Sequence, residues 1–520
     1  MRLLSAPMSS LRAVLASAVA TAVLAGGLVL SAATPAAALP CALPTSGSNF
    51  AVTSEADLIT LSSNADCWAE DIVQTADITL SAPNANIASI GDVNVPFTGT
   101  YDGQLHSISG LAITGSDSDR GLFGDILNAT IQRLSVAGSI TGAGSLGLIG
   151  GASSSTIADI ISSVDVTGWE FVGGVIGFAE DSTVTRVSAS GSVSGAIQGI
   201  GGLVGFSQRT TITNSTSSAT ISGGSITGGA VGIFLSGTAT NISASGTVAC
   251  VSDCGGLIGA VGGTDSSTID QSFSIGDVPS LDRVGGLIGA TAINPGKTLT
   301  LTNSYRRGDV TDINGTIAGL IIGRQQFDGQ VNISDVYATG VNTGTGITPY
   351  AFIGQQVDNT PATITNSFNQ APPNPPDLTS ITTFTDAGWD IDENWTTPTG
   401  WGICPDFNDG LPFLKAFYDM MGPCSPPQFD SFSPHEGSIY GGDVVTITGS
   451  RLHLVTGVTF GNAYSMTMTI VSDTEIICIT PPHDAGRVDF AIHYMDGTMT
   501  SPDGFLYEVP ADPVVPAFTG

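Results

Sequence analysis

The feature that most constrains this chain is a Gly-Gly-apolar-apolar-Gly phrase that returns about every 27 residues. Its second glycine falls at Gly121, Gly147, Gly174, Gly202, Gly229, Gly256, Gly286 and Gly319, in steps of 26, 27, 28, 27, 27, 30 and 33. Inside each repeat, an apolar residue in a Thr/Ser-rich run is answered nine positions later by another: Ile131/Ile140, Ile157/Val166, Val184/Val193, Ile212/Ile221, Ala239/Val248, Ile269/Val278 and Leu301/Val310. From marker glycine to first apolar residue the distance is ten in five repeats, then 13 and 15, so length is expected to vary at one corner.

One repeat offers three short β-rich pieces, such as Leu203-Val204, Thr211-Ile212-Thr213 and Ala219-Thr220-Ile221, divided by Gly, Ser and Asn that permit sharp corners. No helical periodicity competes. A unit this small has no core of its own, so neighbours must stack, with backbone hydrogen bonds between coils roughly 4.8 Å apart. Seven steps then give a rod of about 34 Å before its caps. The paired glycines suit either a positive φ or a close backbone approach.

The phrases "GGLIGAVGGTDSSTIDQSFSIGDV" and "GGLIGATAINPGKTLTLTNSYRRGDV" resemble the GLUG repeats of bacterial secreted and surface proteins. The lead-in "SIGDVNVPFTGTYDGQLHSISGLAITG" and the exit "FTDAGWDIDENWTTPTGWGICPDFNDGLPFL" resemble the segments that open and close such arrays. The resemblance implies a right-handed parallel β-solenoid, and little about activity. From Pro427 the chain changes to short alternating strands with turn signals. Ser433-Pro434, Gly441-Gly442, Phe460-Gly461, Thr480-Pro481-Pro482 and Phe505-Leu506-Tyr507 resemble an IPT/TIG domain, which implies an immunoglobulin-like β-sandwich.

The expected class is therefore all-β. The expected order is a signal peptide over 1–38, an N-terminal cap over 39–96 and the solenoid over 97–345. An aromatic C-terminal cap over 346–424, the IPT/TIG domain over 425–508 and a tail over 509–520 follow. Arg2 and Arg12, the apolar run Ala13 to Leu30 and Ala36-Ala37-Ala38 carry the signal-peptide reading. Ser54-Glu55-Ala56-Asp57 ahead of Leu58-Ile59-Thr60-Leu61 predicts a capped helix over the open solenoid end. Trp389, Trp395, Trp401, Phe407 and Phe413 are expected to cap the other end; an exposed platform for sugar is the alternative.

The formal net charge of −31, with Lys297 and Lys415 the only lysines, argues against a nucleic-acid partner. The IPT/TIG-like stretch has Arg451 and Arg487 against ten acids, so DNA binding by some relatives does not carry over. No membrane span is expected in the mature chain. Seven cysteines in an exported chain predict disulfides Cys41–Cys67, Cys250–Cys254 across an inter-coil corner, and Cys404–Cys424, leaving Cys478 unpaired in a core strand.

Catalytic motifs do not emerge. His435-Glu436 lacks the second histidine of a zinc-peptidase helix, and no nucleophile elbow or phosphate loop is set in an α/β context. Asp277 and Asp309 are expected to stack at roughly 5 Å on adjacent coils, as an outward repeat position, a weak calcium site or a carboxylate pair for glycoside cleavage. The two long corners, Val261 to Ser267 and Thr291 to Thr298, are expected side by side, with Arg283, Lys297, Arg306 and Arg307 forming a basic cluster for an anionic glycan. The expected function is non-enzymatic adhesion or matrix binding, with a surface glycan or extracellular protein as partner and no cofactor. A carbohydrate-active enzyme on the solenoid face and a structural stalk are the alternatives.

Overall fold

The structure is a computed structural model. It describes residues 41–81, 87–115, 120–315, 317–326, 328–344, 346–356, 361–393, 400–404, 408–417, 427–452, 455–465, 467–472, 474–494 and 497–509. The proposed signal peptide, Cys424, Trp395, Phe407 and most of the tail lie outside the described residues. The chain divides into two compact units, one up to Pro375 and one from Pro376.

The first unit is a parallel β-solenoid of about ten turns, running between residues 72 and 369. It thus extends beyond both ends of the glycine cadence. Parallel register stacks Tyr101, Ile131, Ile157, Val184, Ile212, Ala239, Ile269, Leu301 and Ile333 in one inward column. Ile140, Val166, Val193, Ile221 and Val248 form a second, and Val278 and Val310 stand opposite each other farther along. All seven pairs at the nine-residue offset lie in the core. Burying an aliphatic chain at each level contributes about 1.5–3 kcal/mol per residue, which is why the array needs neighbours.

The coil from Gly202 to Gly228 shows the local logic. Val204–Gln208 belongs to a nine-stranded sheet that runs from Phe123–Leu127 to Ile353–Gln356. Thr211–Ser217 and Thr220–Gly228 lie in the larger sheet. Bends are made by residues in the left-handed region: Arg209 at φ 47°, Asn214 at 50° and Ile226 at 55°. Each has counterparts on neighbouring coils: Asn128, Ser154 and Asp181 for the first, Arg133, Asp159, Arg186 and Asn241 for the second, Phe171, Asp253 and Arg283 for the third.

The marker glycines serve close approach, not positive φ. A Cβ on Gly202 would lie 2.3 Å from the Gly229 carbonyl oxygen, and one on Gly229 would lie 2.2 Å from that of Gly256. Gly319 is out of phase with these: it pairs with Gly285, so Leu320 takes the place of the marker glycine in that coil. Length also varies at a second corner. Val278 pairs with Val310 but Val284 with Ala318, which inserts two residues there. The buried Asp312 carboxylate holds the insertion by accepting from the Gly315 and Ile317 amides at 2.7 and 3.0 Å.

At the N-terminal end, helix Glu55–Ser63 starts at Ser54, whose hydroxyl accepts from the Asp57 amide, and it buries Leu58 and Leu61. Cys41 is bonded to Cys67 beside it. In the second unit, Trp389, Trp401, Phe384 and Phe413 are buried around a small sheet of Ile391–Asp392, Trp401–Gly402 and Phe413–Leu414. They offer no sugar platform. Four- and five-stranded sheets follow and enclose Val445, Ile447, Phe460, Ile476, Phe490 and Phe505. Cys478 is buried there as a free thiol.

Candidate functional site

The four basic residues expected to cluster are dispersed, because the coil sends each to a different environment. Lys297 lies in the second long corner, and its Nζ is 3.2 Å from Asp265 Oδ1 in the first, on the preceding coil, so those loops sit side by side. Arg283 occupies another corner. Its Nε donates to Asp253 Oδ1 at 2.8 Å and its Nη1 pairs with Asp282, and the hydrogen bonds to Asp253 hold its pKa above the ordinary value. Arg306 is fully buried. It takes the interior position filled by Ser274 on one side and Ala338 on the other, facing the marker glycine Gly286. Arg307 follows at the same bend, half-buried.

Arg306 lies near the backbone of the aspartate pair. Register places Asp277 and Asp309 on adjacent coils, each just before a paired valine, and both are exposed. The guanidinium donates to the Gly276 carbonyl at 2.7 Å and to the Asp309 carbonyl at 2.9 Å. Burial lowers its pKa to about 10, while the negative charge of Asp277 and Asp309 acts in the opposite direction. The guanidinium is thus held by Ser274 and by backbone carbonyls, and the two carboxylates act on it only at longer range. Asp309 Oδ1 in addition accepts from the Val341 amide at 3.0 Å. Among the described residues no group of three His, Cys, Asp or Glu side chains has the arrangement to hold a metal ion.

Cys250 and Cys254 are bonded, but across a corner of a single coil, with Asp253 at φ 53° in the bend between them. Cys404 is bonded as well.

An unforeseen feature lies on the corner that carries Phe171. Trp169 is 63% exposed, and its carbonyl accepts from the amide of Ile197, itself 47% exposed, on the next coil. Phe171 turns the corner at φ 51° and meets Phe206 edge-on at 5.0 Å; Phe178 stacks on Phe206 at 5.0 Å and 6°. Gly199 makes room, since a Cβ there would lie 2.6 Å from the Phe171 ring. Polar groups border these rings: Gln198 donates to Glu170 at 2.7 Å, and Arg209 pairs with Asp181 at 2.7 Å. The exposed apolar row resumes past Gly224 with Val251 and Leu281 on successive coils. Exposed apolar and aromatic side chains gathered on one corner and the adjoining strand are a usual mark of an interaction site. The repeat does not announce it, because the column of Phe171 continues with Gly199 and Ile226 and that of Trp169 with Ile197 and Gly224.

Among the described residues no helix is long and apolar enough to cross a membrane. Residues 197–222 match the GLUG motif and residues 427–507 match the IPT/TIG domain. A 165-residue stretch is 34% identical to halomucin of Haloquadratum walsbyi, covering 28% of this chain and 2% of halomucin. The chain therefore spans only a small fraction of that relative's length. Among solved structures, a candidate immunoglobulin A1 protease from Bacteroides ovatus aligns over 70% of this chain and 92% of its own, at 13% identity and a TM-score of 0.35. SGBP-B from a xyloglucan utilization locus of Bacteroides uniformis aligns over 19% of this chain and 26% of its own, at 22% identity and a TM-score of 0.15. The chain thus combines a GLUG-type β-solenoid with an IPT/TIG domain.

Proposed function

We propose that this is an exported, non-enzymatic surface or matrix protein that holds glycan on the aromatic corner of its solenoid. The exposed Trp169 beside Ile197, with Phe171, Phe178 and Phe206 around the bend, is the observation that carries the reading. A sugar ring presents apolar C–H faces that stack on such rings, while its hydroxyls suit the bordering Glu170 and Gln198. Bonded cysteines in both units support an oxidising compartment.

A panel of immobilised and soluble polysaccharides tests this reading. Trp169→Ala should weaken retention on the best glycan about tenfold, the loss of one stacked ring at roughly 1.4 kcal/mol, while Lys297→Ala leaves it unchanged. Equal retention by the folded Trp169→Ala variant, or release of new reducing ends from any polysaccharide, would overturn it.

A further inference from the structure

We infer that a second face of the solenoid is an ordered hydroxyl lattice able to adsorb to ice. Thr156, Thr183, Thr211, Thr238, Thr268 and Thr300 stand directly opposite one another on six successive coils. The first four are exposed and the last two half-exposed. The rank continues from Thr156 through Thr130 to Thr100 at one end, and past Asn332 to Thr363 at the other.

Two residues on, beyond one buried aliphatic side chain, runs a parallel rank. It holds Thr185, Thr213 and Thr240 on three consecutive coils, with Gln132 and Ala158 before them and Asp270, which accepts from the Thr302 hydroxyl at 2.7 Å, after them. The hydroxyl of Thr213 donates to that of Thr185 at 3.0 Å, so the side chains are aligned and not merely nearby. The hydroxyls of Thr156, Thr183, Thr211 and Thr238 have no protein partner among the described residues.

Strand preference alone does not produce this. Another outward position of the same coils holds Ser139, Asp165, Ser192, Thr220, Thr247, Asp277 and Asp309, a mixture of small and charged residues. The first threonine rank has no charged member in a chain with 45 acids, a selection for a hydroxyl and a methyl together.

On the three coils where both ranks are threonine, coils about 4.8 Å apart and ranks about 6.6 Å apart make a rectangular net, which the first rank extends as a single line. Its short edge is close to the oxygen repeat along one axis of hexagonal ice. Hydroxyls on such a net can replace lattice water oxygens, and the methyls between them favour ordered water over a mobile layer. Each contact is weak. Repetition over successive coils makes adsorption strong, because all anchors engage a solid at once.

The test is incorporation of the full chain into slowly growing ice, read with freezing hysteresis. Thr211→Lys, which places a charged stem in the middle of the net, is compared with Thr220→Lys on a different outward column. Circular dichroism and thermal unfolding follow the fold, and Thr156→Lys replaces Thr211→Lys if the latter does not fold. The expected result is that wild type and Thr220→Lys enter the ice alike, and Thr211→Lys falls about tenfold, as loss of a central anchor implies. Exclusion of the wild type from ice, or equal incorporation of the rank variant, would overturn the proposal. Capture of the wild type by crystalline cellulose or chitin, lost in Thr211→Lys and unaccompanied by ice incorporation, would overturn it too and assign the lattice to solid carbohydrate.

Discussion

At the level of single residues, the solenoid is governed by what its backbone leaves no room for. The position of Gly229 illustrates this: a methyl group there would lie 2.2 Å from the Gly256 carbonyl oxygen and 2.7 Å from the Ala244 side chain. Neither neighbour can retreat, because one is backbone and the other is an interior side chain held by the next strand. Gly229→Ala should therefore lower stability by about 1–3 kcal/mol or more, the range for overpacking, and denaturant unfolding would show it. Gly296 is the contrast, at φ 77° in an open turn where no atom lies within 4 Å of an added Cβ. There the cost of a substitution is conformational alone. A Gly229→Ala midpoint equal to that of wild type would mean that the coils can slide apart and that the cadence of glycines has another cause. Arg306 obeys the same rule of space from the opposite direction. It fits inside because its partner across the coil is a glycine, and its charge is met by backbone carbonyls and by Asp277 and Asp309 at the rim.

At the level of the coil, the bends do work that composition conceals. The second left-handed column joins Arg133, Asp159 and Arg186 on successive coils, and Arg186 clasps Asp159 through Nε at 2.6 Å and Nη2 at 2.8 Å. Farther along, Asn241 donates to Asn214 at 2.7 Å in the same column. These pairs fix one coil's register on the next. The Arg186 hydrogen bonds hold Asp159 below its ordinary pKa of 3.8, and those of Arg209 do the same for Asp181. A depressed carboxylate pKa contributes stability that is complete above the ordinary value and is lost as pH falls through the folded one. Stability should thus decline below about pH 4, and Arg186→Ala combined with Arg209→Ala should flatten that decline while lowering stability at neutral pH. The effect should be modest and fade with salt, since Arg186 is more than half exposed. An identical acid limb in the double variant would remove these bends from the account. The inward columns, the capped helix and the Cys41–Cys67 and Cys250–Cys254 bonds were legible in the sequence because each follows from burial, capping or cysteine spacing. The bends were not, since the left-handed corners here hold residues as different as Arg, Asp, Asn, Ser, Phe and Ile, none of which marks a bend by its type. The basic cluster failed for a related reason: closeness along the chain between Arg283, Lys297 and Arg306 becomes three separate environments once a coil turns three corners. Gly319 misled by a single residue, because it stands opposite Gly285 and leaves Leu320 opposite the marker Gly286.

At the level of the whole molecule, the two units have separate cores. One runs through the solenoid from Leu43 to Ala338, the other through the immunoglobulin-like sandwich around Phe460 and Phe490. Each contains what its own cooperative unfolding requires. The solenoid is held level by level, so a defect in one coil is felt by its neighbours before it is felt elsewhere. Ile212 is central to that array and fully buried, and Ile212→Asp would set an unpaired carboxylate among aliphatic side chains, a change costing several kcal/mol. The sandwich has its own reporter: Cys478 is fully buried and free, and burial raises its thiol pKa to about 12, so it reacts with thiol reagents only when the sandwich opens. Ile212→Asp should therefore bring down the loss of solenoid β signal in circular dichroism while leaving the denaturant dependence of Cys478 labelling where it was. The converse variant, Phe490→Ala in the sandwich core, should advance labelling by an amount corresponding to about 3–5 kcal/mol and spare the solenoid transition. Labelling that moved together with the solenoid signal in both variants would show that the two cores unfold as one.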